Sequence, residues 1–345
     1  MNLFCPIPKL DFDTINLGHG SGGTLTSQLL EAGVFQLLEN ELLNKKHDGA
    51  IFNLDGKVAM STDTYVVSPI FFEGGNIGDL AINGTVNDLA MCGASAKYLS
   101  LGFVLEEGLK MTEFWDILVS IKTACEAAGV QIVTGDTKVV ERGKGDKIFV
   151  NTTGIGTVHP KADIDAANIK AGDKIILSGP LARHGITIVS HRQGLQFETT
   201  VSSDTRPLNK IVLELLDEFG EHIHFLRDPT RGGLATVLNE IAAEAKLGVD
   251  ISQKDIPVED EVYGACEMLG FDPLYVANEG LFVAIVDAAV AGAFLKKLQQ
   301  WEHGSMASIV GEVTKDHPRQ VIMKSNIGGR RVVNMLPGEQ LPRIC

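Results

Sequence analysis

Val130-Gln131-Ile132-Val133-Thr134-Gly135-Asp136-Thr137-Lys138 begins as an apolar strand, Val130 to Val133, and runs into a glycine, a carboxylate and a lysine. Just before it, Thr112 to Ala128 places Phe114, Ile117, Leu118, Ile121 and Cys125 on one helical face, the spacing of a helix that buries one side. A helix feeding a strand that ends in polar residues is a layered arrangement of helix on sheet. Outward from this unit the same alternation continues. Lys57 to Asp63 and Leu99 to Leu105 read as strands, Asn76 to Met91 reads as a helix with Ile77, Leu80, Ala81 and Leu89 on its apolar side, and Phe149 to Val158 is a further strand. Leu25, Leu29, Leu30, Leu37 and Leu38 recur near helical spacing after a glycine-rich loop.

The apolar pattern lapses between Lys161 and Gly172, which predicts a domain boundary there. A second α/β set follows, with Lys174 to Leu177 and Leu281 to Val286 as strands and Arg231 to Lys246 and Ala288 to Trp301 as helices. The predicted organisation is an N-terminal segment (1–44), a first domain (45–160), a second domain (161–334) and a flexible tail (335–345). A chain of 345 residues supports two domains. The two halves echo each other weakly, each with an Asp near a glycine turn that feeds a helix.

Thirty basic against 44 acidic residues leave a net charge of −14, and no basic run interrupts it. Nonspecific nucleic-acid binding is excluded on that ground. An anionic ligand is not, because backbone amides and metal ions neutralise phosphate locally. No secretory signal or membrane-length apolar run is visible, and five widely spaced cysteines lack metal-binding spacing. Reduced thiols in the cytoplasm are expected. Cys125 reads as a buried small hydrophobe.

Three aspartates end apolar segments: Asp63, Asp88 and Asp136. Carboxylates in such places are costly to bury unless a cation meets them, and hard oxygen donors from separate elements suit Mg²⁺ with substrate phosphates. Gly18-His19-Gly20-Ser21-Gly22-Gly23 presents amides able to cradle phosphate, with Gly20, Gly22 and Gly23 as the expected contacts, although no Walker lysine follows. Asp228-Pro229-Thr230-Arg231-Gly232-Gly233 opens a helix and is a second candidate cradle. Glu279 precedes a buried strand and is a candidate base; Lys138 is a candidate phosphate partner or proton carrier. His184 and His191 fit helix-face or core roles. The chain ends in Pro342-Arg343-Ile344-Cys345, a thiol on a tail without helical or strand periodicity.

Together, Ser61-Thr62-Asp63, Val86-Asn87-Asp88-Leu89-Ala90-Met91-Cys92-Gly93-Ala94, Gly135-Asp136-Thr137-Lys138 and Asp228-Pro229-Thr230-Arg231-Gly232-Gly233 resemble the ATP-binding signatures of the aminoimidazole ribonucleotide synthetase superfamily. Within it, the Gly-His-Gly-Ser-Gly-Gly opening and the Pro-Arg-Ile-Cys ending are similar to the HypE family of hydrogenase-maturation carbamoyl dehydratases, over Leu17 to Cys345. The resemblance implies an α+β fold of two α/β domains plus an extended C-terminal tail, and a homodimer formed through the first domain. It implies ATP and Mg²⁺ near Asp63, Asp88 and Asp136, with Asp228 on the nucleotide and Lys138 and Glu279 near the Cys345 thiol. It also implies a HypF carbamoyltransferase and an iron-carrying HypC–HypD complex as partners, with the Cys345 carbamoyl group dehydrated to a thiocyanate.

Rival readings are a selenophosphate synthetase, a thiamine-phosphate kinase and a non-catalytic thiol carrier. The first would carry its cysteine in a glycine-rich N-terminal setting, which Cys5 in Phe4-Cys5-Pro6 lacks. A thiamine-phosphate kinase needs no terminal thiol.

Overall fold

A computed structural model of the chain describes residues 12–194, 201–336, 338, 341 and 343–345. Most of the Met1 to Asp13 extension, with Cys5, lies outside the described residues, as do Pro337, Glu339, Gln340 and Pro342 of the tail.

In the first half, α1 (Thr24–Leu29) runs into a π-helical stretch, Leu30–Phe35, so the leucine repeat is helical but not one regular helix. Then come β1 (Val58–Tyr65), the short pair β2 (Phe71–Phe72) and β3 (Gly75–Asn76), α2 (Ile77–Met91), β4 (Ala94–Glu106), α3 (Met111–Ala128), β5 (Gln131–Val140) and β6 (Ile148–Val158). The main sheet has the order β1-β6-β4-β5. β4 and β5 are parallel because α3 carries the chain back across the sheet between them. β5 continues well past Val133, since β4 offers ladder partners along its length, Gly102 to Asp136 and Val104 to Lys138 among them.

Helix α2 starts at a reciprocal cap: the Asn76 carboxamide oxygen accepts the Gly78 amide at 2.8 Å, and Asp79 accepts the Asn76 amide at 2.6 Å. Burial pushes the Asp79 carboxyl up to about 6. Almost all of α2 is buried, including Asn83, Thr85 and Asn87, because it packs against β1 and β6 on one side and the second-domain helix Asn209–Phe219 on the other.

The second half holds β7 (Lys174–Leu177), α4 (Arg183–Gln193), α5 (Asn209–Phe219), β8 (Ile223–Arg227), α6 (Gly233–Ala245), β9 (Gly248–Ser252) and α7 (Asp260–Leu269). It closes with β10 (Val283–Val286), α8 (Ala291–Gln300), β11 (Ser308–Thr314), β12 (Val321–Lys324) and β13 (Arg330–Val333). Its strands form one sheet, β13-β12-β9-β11-β7-β10-β8. Ile175, Leu177, Val283 and Ile285 face α6, while Ile176, Ala284 and Val286 face α5 and α8. That is the period of two expected of strands covered on both faces. Ala90 and Met91 of α2 join the α5 layer, so the two domains share apolar surface. Cys125 is buried as expected, and its thiol is pushed up to about 12 by that burial.

Among the described residues no helix is long and apolar enough to cross a membrane.

Candidate active site

An acidic cluster forms where the domains meet. Alternation along β1 sends Ser61, Asp63 and Tyr65 toward α2. There the Ser61 hydroxyl donates to Asp88 Oδ2 at 2.6 Å, and the Tyr65 hydroxyl lies 3.4 Å from Thr85 Oγ1. Burial, and then the charge of Asp63, raise the Asp88 carboxyl above its ordinary range despite the Ser61 hydrogen bond. From the second domain Asp228 and Glu279 approach the same charges. Burial pushes Asp228 up to about 7, with Asp88 the next largest cause. Glu279 is raised well above the usual carboxylate range, first by burial and then by Asp228, Asp204, Asp63 and Asp88. Its Oε1 is buried and has no hydrogen-bond partner among the described residues. The physical result is a carboxyl whose ionisation its surroundings disfavour.

The loop carrying Glu279 is bolted in place by polar groups that local sequence patterns did not single out. Asn278 donates to the Pro229 carbonyl at 2.8 Å and accepts the Ala182 amide at 2.7 Å, tying the loop to the turn that carries Asp228. The Asp204 carboxylate accepts the Glu279 amide at 3.1 Å and the Gly280 amide at 3.0 Å. Asn87, next to Asp88, donates to the Glu279 and Arg206 carbonyls at 3.3 and 3.0 Å and accepts the Leu208 amide at 2.8 Å. One asparagine thus fixes α2 against the second domain beside the acids. A buried Asn beside an Asp in a helix was the available signal, since an amide there needs partners.

The tail enters this junction. Ile344 is buried in the first domain's core, and Cys345 packs against it. Val66 donates its amide to the Cys345 carbonyl at 3.1 Å, and Ser68 donates to the Arg343 carbonyl at 3.3 Å. The thiol lies in the field of Glu279, Arg231, Asp63 and Asp228, and its pKa is raised by burial first and by the Glu279 charge second. Cys345 and Glu279, which share no sequence motif, lie close enough for the Glu279 charge to act on the thiol.

Lys138 and Asp136 lie elsewhere. The Lys138 ammonium pairs with Asp136 at 2.5 Å, and both side chains are largely exposed. Ladder pairing puts Asp136 in register with Gly102, Asn151 and Thr64, on the sheet face opposite Asp63. The two residues rim a pocket of about 190 Å³ that Gly20, Gly22, Thr26 and Thr137 also line. The glycine segment is a short 3-10 turn (Leu17–Gly20) seated on β5 so closely that a methyl group at Gly20 would come 2.5 Å from the Val139 amide nitrogen. Gly23 caps α1 rather than lining the pocket.

The expected trio Asp63, Asp88 and Asp136 is therefore not gathered within one copy of the chain. Among the described residues no three of His, Cys, Asp and Glu converge closely enough to hold a metal ion. The donor chemistry of the buried carboxylates still suits Mg²⁺, which is commonly held through one or two carboxylates and completed by phosphate oxygens.

Comparison with known proteins agrees with this architecture. Residues 46–158 match the family model "AIR synthase related protein, N-terminal domain", and residues 170–324 match the corresponding C-terminal domain. The chain is 47% identical over 333 residues to carbamoyl dehydratase HypE of Azotobacter vinelandii, covering 96% of this chain and 97% of that one. A crystal structure of hydrogenase maturation protein HypE in complex with ATP superposes with a TM-score of 0.92 at 46% identity, covering 95% and 99% of the two chains. HypE in a crystallised HypE–HypF complex matches with a TM-score of 0.79 at 39% identity, covering 91% and 100%. Two matched domains of this kind define the class, the AIR synthase related proteins. Within it the chain belongs to the HypE family of carbamoyl dehydratases.

Proposed function

We propose that this chain is an ATP-dependent carbamoyl dehydratase that converts an S-carbamoyl group on Cys345 to a thiocyanate, the source of a cyanide ligand for hydrogenase iron. The observation that carries this reading is the burial of the Cys345 thiol within the field of Glu279, whose buried Oε1 is without a partner among the described residues. HypF is the proposed carbamoyl donor, in line with a relative crystallised as a HypE–HypF complex, and a HypC–HypD complex is the proposed cyanide acceptor. A cytoplasmic location is part of the same reading.

The carbamoyl oxygen attacks the γ-phosphorus of ATP, and ADP leaves. The oxygen, otherwise a poor leaving group, now departs as phosphate. Two nitrogen protons are lost as the C–O bond breaks and the C≡N bond forms. Glu279 is the group proposed to take a nitrogen proton, because desolvation raises its proton affinity and makes its carboxylate a stronger base. Lys138, paired with Asp136 on the other sheet face, is better placed for a nucleotide phosphate than for that proton. One or two of Asp63, Asp88 and Asp228 would hold Mg²⁺, with phosphate oxygens completing its shell, and the ion would neutralise charge on the transferring group.

The homodimer is proposed through the outer face of the first sheet, which exposes Met60, Val58 and Val104.

Intact-mass analysis after incubation with carbamoyl phosphate, the carbamoyltransferase and ATP tests the reading. Cys345 should gain a carbamoyl group and, on adding ATP, lose one water. Modification on Cys92, Cys125 or Cys266 instead would sink it, and ATP turnover by the purified chain separates enzyme from passive carrier.

A further inference from the structure

Both of the groups that must meet, the Cys345 sulfur and the Glu279 carboxyl, are referenced to one helix. His184 on α4 is fully buried, and its Nε2 donates to the Ile344 carbonyl at 2.7 Å. Its Nδ1 then accepts from the Ser203 hydroxyl at 2.8 Å, and the Ser203 oxygen in turn accepts the Thr205 amide at 3.1 Å. These partners select the neutral tautomer with the proton on Nε2. Eight residues along α4, the Arg192 guanidinium donates to the carbonyls of both Arg343 and Ser68. Arg343 itself donates to the Val66 carbonyl at 3.2 Å and pairs with Asp146. Every one of these contacts to the last three residues, the Arg343 side chain apart, is to backbone.

The same helix holds the base. The Gly185 amide donates to the Ala277 carbonyl at 3.0 Å. A methyl group at Gly185 would come 2.4 Å from Val276 Cγ1 and 3.2 Å from Leu341 Cδ1, so this glycine lets α4 touch both the Glu279 loop and the tail. Ser203, which orients His184, is followed by Asp204, which holds the Glu279 and Gly280 amides.

We infer that α4 is a depth gauge for the tail: His184 and Arg192 grip the carbonyls of residues 344 and 343 and so deliver the sulfur of residue 345, and of no other position, to Glu279. They are positioning residues, and their role in the reaction rests on the dehydratase reading above. Recognition through carbonyls explains how a tail can bind with its thiol unmodified or carbamoylated, since neither change touches the gripped groups. It also makes the register of residues 343–345 against α4 the specificity-determining quantity.

Alkylation of Cys345 by iodoacetamide, scored by mass spectrometry against exposed Cys92, reads tail docking without any catalysis. His184→Ala and Arg192→Ala should each raise the Cys345 rate about tenfold, the effect of losing hydrogen bonds of this kind. Arg192 is exposed, so its variant stays informative even if His184→Ala folds poorly. His184→Gln, which keeps a donor, should restore protection. In pre-carbamoylated protein the ATP-driven loss of water should slow by a similar factor in the alanine variants, while carbamoyl loading is unchanged. One glycine inserted between Ile344 and Cys345 should abolish water loss, because the sulfur then overshoots Glu279 unless Ile344 leaves its buried seat, whereas one inserted after Gly338 should be tolerated.

Wild-type alkylation rates in folded Arg192→Ala and His184→Ala proteins would overturn the gauge, as would tolerance of the insertion after Ile344. A wild-type chain that never loses water would defeat the dehydratase reading and leave the alkylation result to decide the gauge alone.

Discussion

Burial makes Glu279 and Asp228 harder to ionise than in water, and this has consequences for both stability and rate. For each, the folded-state pKa lies above the unfolded one. Unfolding therefore releases a proton at pH values between the two, and the native state loses stability as pH rises through that window. For Asp228 the window runs from 3.8 to about 7, a displacement worth roughly 4 kcal/mol at its upper end. Asp228→Asn should melt higher than wild type at pH 8, with the gap closing toward pH 4, when both are followed calorimetrically without nucleotide. An equal gap at both pH values would contradict the assignment. Glu279→Gln should likewise stabilise the free protein at pH 8, yet slow the ATP-driven loss of water from carbamoylated Cys345 by about a hundredfold or more. Carbamoyl loading is the control, and it should be unaffected.

Among the elements, the glycine turn and α2 matter most to the site. Gly20 abuts the β5 backbone with no room for a side chain, so Gly20→Ala must lift the turn off Val139 and open the pocket that Asp136 and Lys138 rim. Nucleotide affinity should fall about tenfold, measured by titration calorimetry, while the second domain's contacts stay unchanged. Unaltered affinity would place the nucleotide elsewhere. Helix α2 carries the Asn87 bridge to three backbone groups of the second domain. Asn87→Ala leaves those groups buried without partners, at a cost of roughly 2–4 kcal/mol. It should lower the denaturation midpoint and separate the unfolding of the two domains. A single unshifted transition would show that shared apolar packing alone couples them.

For the whole molecule, the first sheet is covered on one face by α2 and α3 and is largely open on the other, where Phe52 packs on Tyr98. Met60 is 69% exposed there, with Val58 at 42% and Val104 at 38%. An apolar strand face left in water is the expected mark of an interface. Light scattering should report twice the 37.1 kDa chain mass. Met60→Asp combined with Val104→Asp should give monomers that retain their fold. A wild-type monomer at micromolar concentration would remove the dimer proposal.

Apolar patterning located α2, α3, α6 and α8 and the strands β1, β6 and β7; α3 and β1 repeat at their own spacing because each buries one face, whereas α2 and β7 are covered on both and read simply as apolar. The glycine turn, the DPTRGG turn and the terminal Cys345 were equally legible, since small residues and a chain end leave a local trace. Where the carboxylates point was not. Asp63 and Asp136 look alike in sequence, each an aspartate in a strand, yet strand register turns one toward the domain junction and the other to the opposite face. Nor could Asp204, Asn87, His184 or Arg192 be tied to the site, because each acts on a backbone group far away in the chain, up to 192 residues for Asn87 and Glu279. Composition, motifs and the position of the thiol are local properties that the sequence determines by itself. The meeting of that thiol with Glu279 depends on how two independently patterned layers pack, and only the tertiary structure decides it.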